Sequence, residues 1–496
     1  MDSIQKFTRL LAAGFVIALF MSLSIFAQIS FQRTYGGPAF DMAFSARQPS
    51  DIDYILAGIV DFLGEGSGDV WLIKTDSLGD TLWTRVYGGS GVDNAKCVHQ
   101  TLDGGYIMAG ETGSYGAGSY DVWLIKTDSM GDSVWTRTYG GSDGDGGYCV
   151  QQTPDGGYII CGHTSSYGAG GSDLYLIRTD SMGLVLWDTT CGGGGEERGY
   201  WVQQTLDGGY IIVGKTSSFA CDLQDLWLVK SDSVGNTLWT KTYDRGGKEG
   251  GRCIQLTFDG GYIVAGYTVP SGDSVYNIWL LKMDSSGDTL WTRTYLNNLP
   301  ISGPGAVSVQ QTWDGGYIIA GSVDPLGPDS ADVYLIKTDS LGYVVWERSY
   351  GDSGVDCGFS VQQTSDSGYV VAGMYSGAFD MSSGDVYLIK TDTQGIVTGV
   401  KEQDTFDLPK NFSLSQNYPN PFNPVTEIRY TLPRDSYVKL EVYNIVGQKV
   451  TSLVDGKQKA GYKTVWWDAG YLSSGIYFYR LQAGDFVQTK KMVLLR

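Results

Sequence analysis

The sequence predicts an all-β protein: a seven-bladed β-propeller of four-stranded blades closed by the N-terminal strand, followed by a small Ig-like β-sandwich. Three observations carry this. A phrase of the form QTxDGGYIxxG occurs seven times, its aspartate standing at 51, 103, 155, 207, 259, 314 and 366. The copy at Asp51, DIDYILAG, is worn. Each unit, about 52 residues long, holds four short runs in which apolar and polar residues alternate. Almost nothing beyond the N-terminus reads as helix, and a repeat of this length with four strands is one propeller blade.

Residues 1–27 read as a secretory signal peptide. Lys6 and Arg9 precede an apolar run from Leu10 to Phe26, and Ala27 is the small residue at the break. The run is also about long enough for a membrane anchor; cleavage after Ala27 leaves no membrane span. Residues 28–398 hold the blades. In the third unit the runs are YCVQQT (148–153), YIICG (158–162), DLYLIRTD (173–180) and LVLWDTT (184–190). Asp-Gly-Gly between the first two makes a tight hairpin in which glycine supplies positive φ. TDSLGD (75–80), TDSMGD (127–132), SDSVGN (231–236) and MDSSGD (283–288) are equally tight turns between the third and fourth runs.

Trp83, Trp135, Trp187, Trp239, Trp291 and Trp346 follow those turns, as one packing aromatic per blade would. Seven second runs and seven third runs are thus served by six tryptophan-bearing fourth runs. The missing one stands at the start, where FQRTYGG (31–37) matches WTRTYGG (135–141). The N-terminal strand therefore completes the last blade and leaves no free sheet edge at that seam. The motif TDSxGDxxW resembles the tryptophan-docking motif of quinoprotein propellers and, more loosely, the Asp-box of sialidases. Its Asp-to-Gly gap is one residue shorter than the quinoprotein pattern, so the resemblance implies blade packing rather than quinone binding or sialidase activity.

Seven cysteines, an odd number, do not suggest a disulfide framework. Cys97, Cys149 and Cys253 share a repeat position with Trp201, Ser308 and Ser360 and read as small buried residues. Cys149 and Cys161 flank one hairpin, where a disulfide is the competing reading. Residues 28–409 carry 21 basic and 47 acidic side chains, a net −26, whereas the tail from Lys410 is +6. So acidic a body repels nucleic acid and anionic membranes and attracts cations; it also serves as a solubilising surface.

The DGG and SxGD turns fall on one face of the disc. The other face receives the blade-to-blade loops, such as GGSDGDGG (140–147), and the loops between second and third strands, such as SSYGAGGSD (165–173). Length variation, glycine and charge collect there, which makes it the expected binding face. Six residues after the tyrosine (once a cysteine) of each fourth strand comes an acid: Asp41, Asp93, Asp145, Glu197, Glu249 and Asp356, with Pro304 at the seventh place. Two readings stand. The acids ring the channel mouth and hold Ca²⁺, a cation that takes hard oxygen ligands, or each caps its own loop by accepting backbone N–H bonds. The Asp opening each third strand (Asp69, Asp121, Asp173, Asp225, Asp332 and Asp385, with Asn277) reads as structural.

No catalytic constellation is legible. His99 and His163 are the two histidines, neither repeated, and His99 replaces a glutamine of VQQT. Metalloprotease, nucleophile-elbow and CxxC signatures are missing, and GAGGS (168–172) has no following helix to cradle phosphate. No catalytic or cofactor-binding residue is assigned.

Residues 399–411 read as a linker. Beyond them come NYPNPFNPVTEIRYTLP (417–433), VYNIVGQKV (442–450), SSGIYFYRL (473–481) and KKMVLL (490–495). These resemble the type A C-terminal sorting domain of the type IX secretion system of Bacteroidetes-like Gram-negative bacteria, over residues 412–496. The resemblance implies a β-sandwich, the type IX machinery as partner, and passage through the periplasm to the cell surface or medium. The expectation is a non-enzymatic binding protein whose loop face takes a polysaccharide or a protein. The alternatives are a glycan hydrolase or lyase using channel carboxylates, and a structural surface-layer protein.

Overall fold

The computed structural model describes residues 29–398 and 412–495, apart from 38, 50–51, 61–67, 221–222, 273–274, 300–307, 324–330, 353, 377–383, 418–419, 459–460, 471 and 485. The signal segment and the linker expected from the sequence lie outside the described residues. No helix among those described is long and apolar enough to cross a membrane. The chain divides into two compact units between Lys401 and Glu402.

The described residues of the first unit form seven four-stranded antiparallel sheets. Blade 1 runs through Asp41–Arg47, Tyr54–Val60, Asp69–Thr75 and Thr81–Tyr87; blades 2 to 6 open at Asp93, Asp145, Glu197, Gly247 and Ser308. Blade 7 takes Cys357–Gln363, Tyr369–Tyr375 and Asp385–Thr391, and its fourth strand is Phe31–Tyr35, with Phe31 opposite Lys390. The closure read from FQRTYGG is therefore the one adopted.

Second and third strands, such as Tyr158–Thr164 and Asp173–Thr179, are buried almost residue by residue, while the fourth, Val185–Cys191, has no fully buried residue. Middle strands meet a neighbouring blade on both faces, which is why they read as unbroken apolar runs. The core is a set of layers between blades. At the closing seam it holds Phe31, Leu56, Ile73, Val370 and Leu388, and each such fully buried side chain contributes about 2 kcal/mol.

Three repeated devices register the blades. The tryptophan of each fourth strand lies over the turn glycine of the next blade: Trp83 on Gly131, Trp135 on Gly183, Trp346 on Gly395, with Phe31 on Gly79 at the closure. The glutamine pair that ends a first strand, Gln151 and Gln152 in YCVQQT, grips both neighbours. Gln151 Oε1 accepts the Gln204 N–H of the following blade at 2.9 Å, and Gln152 Oε1 accepts the Leu102 N–H of the preceding one at 2.8 Å. Gln362 and Gln48 repeat the two grips across the closure. Within each blade the DGG aspartate pairs with the buried lysine or arginine of the third strand, as Asp103 does with Lys126 at 2.9 Å. In the worn first copy Lys74 pairs with Asp53, at 3.6 Å.

Cys149 and Cys161 stand opposite each other across the hairpin, yet both are free thiols. Cys149 instead points its Sγ at Val202 O of the next blade, 3.8 Å away, as Cys97 does at Val150 O.

The second unit packs a three-stranded sheet (Ser413–Leu414, Val425–Leu432, Gly461–Asp468) against a four-stranded one (Lys449–Gln458, Ser436–Asn444, Gly475–Ala483, Phe486–Leu494). Its core includes Ile428, Tyr430, Leu440, Trp467, Tyr479 and Leu481. The proline-rich entry is tied down by polar groups: Asn417 Nδ2 donates to Thr426 Oγ1 at 2.9 Å, and Phe422 exchanges backbone bonds with Val493 and Leu495.

Candidate functional site

On the loop face, short parallel bridges stitch the start of a third strand to the start of the next blade's first strand, as Tyr120 to Gly144 and Ser172 to Glu196. This brings the two sets of sequence-flagged acids together. A Cβ on Gly140 would stand 2.3 Å from Asp121 Oδ1 and 2.4 Å from Asp145 Oδ2. Gly36 lies in the same way between Asp385 and Asp41, Gly88 between Asp69 and Asp93, Gly192 between Asp173 and Glu197, and Gly351 between Asp332 and Asp356. The six acids Asp41, Asp93, Asp145, Glu197, Glu249 and Asp356 are all buried, each in its own seam against an acid of the preceding blade. The sequence holds a trace of this pairing. The one third strand that opens with Asn277 precedes the one copy that has Pro304 in place of an acid.

Most of these carboxylates also cap loops. Asp145 Oδ2 accepts from Gly141 N and Ser166 Oγ, each at 2.7 Å. Glu197 accepts from Gly193 N, Thr216 Oγ1, Ser218 N and Ser218 Oγ at 2.8–3.0 Å. Burial works against its charge, but these donors outweigh it and hold the carboxyl below the usual range. Glu249 has a single hydroxyl donor, Thr268, at 2.8 Å. Burial, with Asp244 and Asp225 nearby, pushes its carboxyl up.

Down the channel, the bulged residues of six first strands, Phe44, Lys96, Tyr148, Tyr200, Arg252 and Phe359, form a half-buried set of aromatics and cations. Lys96 Nζ lies 3.8 Å from the centre of the Phe44 ring, Arg252 lies 4.2 Å from that of Tyr200, and Tyr200 is 5.1 Å from Tyr148. Further along lies a cavity of about 220 Å³ lined by Arg47, His99, Gln151, Gln203, Gln255, Gln310 and Gln362, one residue from each blade. Trp201 stands where other blades have Cys or Ser, lines the same cavity, and has the Arg47 guanidinium 5.6 Å from its ring. So His99 is a channel residue, and Arg47 beside it was not flagged by its sequence.

The loop face also carries exposed aromatics at one repeat position. Tyr115, Tyr167 and Phe219, in blades 2, 3 and 4, are 48, 47 and 49% exposed. Each rests on an aromatic of its blade's third strand: Trp123 at 5.5 Å, Tyr175 at 6.0 Å and Trp227 at 5.8 Å. Tyr115 and Tyr167 are pinned further by hydroxyl bonds to Gly88 O and Gly140 O. The recurrence in SSY and SSF was open to reading, but without the underlying aromatic in view it was one more loop residue.

Residues 416–495 match the family described as the secretion system C-terminal sorting domain. The chain carries a type IX sorting tail. A propeller with such a tail is a secreted, type IX-exported protein. Among curated proteins, the regulatory protein FlaEY of Caulobacter vibrioides is 25% identical over 309 residues, covering 50% of this chain. The chain spans only 32% of that protein's length. Among solved structures, PorZ of Porphyromonas gingivalis, described as an essential surface component of the type IX system, is 11% identical with a TM-score of 0.42, over 93% of this chain and 60% of that one. A protein of unknown function from Bacteroides caccae is 16% identical, TM-score 0.37, over 59% of this chain and 94% of that one. The β-propeller domain of the Pyrococcus furiosus trilobed protease is 9% identical, TM-score 0.41, over 73% of this chain and 99% of that one.

Proposed function

We propose that this chain is a non-enzymatic binding protein of the outer cell surface, delivered through the periplasm, that holds a neutral polysaccharide on the loop face of its propeller. The observation that carries the ligand class is the row Tyr115, Tyr167 and Phe219: flat rings, half exposed, one per blade, each held in place by a second aromatic. Such rings offer contact area at low entropic cost, and repeats of a polymer match repeats of a fold. The net −26 of residues 28–409 argues against an anionic chain. Export rests on the sorting tail.

Affinity electrophoresis of the full chain through gels containing neutral polysaccharides tests the reading. Retardation is expected for at least one polymer, with no new reducing ends released. The triple variant Tyr115→Ala, Tyr167→Ala, Phe219→Ala should lose it while keeping the thermal transition of the parent within a few degrees. Retardation unchanged in that variant would remove the loop-face row from the function.

A further inference from the structure

Five seams of the propeller place two carboxylates about a glycine, but the seam between blades 4 and 5 is different. There the phrase Tyr-Gly-Gly becomes Tyr243-Asp244-Arg245, so a third carboxylate replaces the glycine. Oxygen atoms of Asp225, Asp244 and Glu249 lie within 4.8 Å of one another. Asp225 and Glu249 are 0% exposed, and Asp244 opens the cluster to solvent. Glu249 lacks the donors that satisfy Glu197 in the preceding seam. The Arg245 amide approaches its carboxylate, yet its Oε2 is left without a hydrogen bond.

Three carboxylates this close repel strongly in a buried setting. The adjacent Arg245 is directed elsewhere, with its Nη1 on Thr294 Oγ1 at 2.5 Å and its guanidinium over Trp279. No ion pair involves Asp244 or Glu249 among the described residues. A buried carboxylate with an unsatisfied oxygen, Glu249, within a cluster of three acids is the arrangement a hard cation completes, with water entering on the Asp244 side.

We infer that the seam between blades 4 and 5 binds one divalent cation of the calcium type through Asp225, Asp244 and Glu249. The site clamps two blades across their loop ends and differs from a ring around the channel mouth: the five seams with two acids about a glycine lack the third carboxylate and are left metal-free.

Isothermal titration of the chelator-treated full chain with CaCl₂ is the test, paired with its melting temperature in Ca²⁺ and in chelator. One site per chain and a higher melting temperature in Ca²⁺ are expected. Asp244→Gly restores the residue found at five other seams and should weaken Ca²⁺ binding at least tenfold without preventing folding; Asp244→Asn serves as the isosteric check. Asp145→Asn, in another seam, should leave the titration unchanged. Absence of Ca²⁺ binding in the parent, or binding undiminished in both Asp244 variants, overturns the assignment. So does a loss of binding in Asp145→Asn equal to that in Asp244→Gly.

Discussion

The six-membered ring of Trp135 lies over Gly183 so closely that a Cβ on that glycine would stand 2.8 Å from Trp135 Cζ3. The Tyr139 hydroxyl donates to the same glycine's carbonyl at 2.8 Å, so one turn residue receives two groups of the preceding blade. Gly183 also has φ +74°, a conformation that costs an L-residue about 1–2 kcal/mol.

Gly183→Ala therefore meets a steric and a backbone penalty together. We expect a loss of about 3 kcal/mol, read as a lower denaturation midpoint with an unchanged slope. A loss below about 1 kcal/mol would mean that the tryptophan yields easily and does not register the blades.

Ser367 offers the reverse experiment. Five of the other hairpins have glycine at this position, as at Gly104 with φ +83°, whereas Ser367 adopts φ +69°. Ser367→Gly should stabilise the propeller by about 1 kcal/mol, seen as a higher melting temperature. A lower one would show that the serine side chain contributes more than its strain removes.

The hairpin ion pairs set the acid limit. The Thr205 hydroxyl, with the Lys230 ammonium 2.9 Å away and the Gly209 N–H, outweighs burial and holds Asp207 at about 2. A carboxyl whose folded pKa is depressed contributes stability that is complete above about pH 4 and lost as pH falls through about 2. Asp207→Asn should flatten the decline of the melting temperature between pH 4 and 2; an unaltered slope would discount the pair.

Asp356 acts in the opposite direction. Burial first, then the neighbouring Asp352 and Asp332, lift it to about 7 against the N–H groups of Ser376 and Asp352. Its proton is bound more tightly folded than unfolded, so this contribution is complete below about pH 4 and lost as pH rises through about 7. The melting temperature should fall between pH 5 and 8, and Asp356→Asn should remove part of that fall. If the variant tracks the parent at every pH, the carboxyl is ionised throughout.

What could be read from the sequence was what repeats within one blade. DGG, TDSxGD and the fourth-strand tryptophans announced hairpins and blade number because turn chemistry and spacing are local. What crosses between blades was harder to read. The glutamines of VQQT are generic polar residues until Gln151 and Gln204 are seen side by side. The partners Asp121 and Asp145 belong to different blades, and only the shared exception at Asn277 and Pro304 links them in the text. Arg47 and Trp201 depart from the repeat at channel positions, yet a departure carries no direction until the strands are placed.

The closing strand has a temporal consequence. Gln32 and Tyr387 are joined side chain to side chain although 355 residues separate them, and bringing together the ends of so long a loop costs about 5 kcal/mol beyond a constant. Translation delivers Phe31–Tyr35 before any blade and its partner Asp385–Thr391 after all the others. The earliest strand is thus the last to find its place, and circular closure waits until nearly the whole disc has been made. A protein that must travel before it works is well served by a lock whose two halves are the first and last parts of that disc to leave the ribosome.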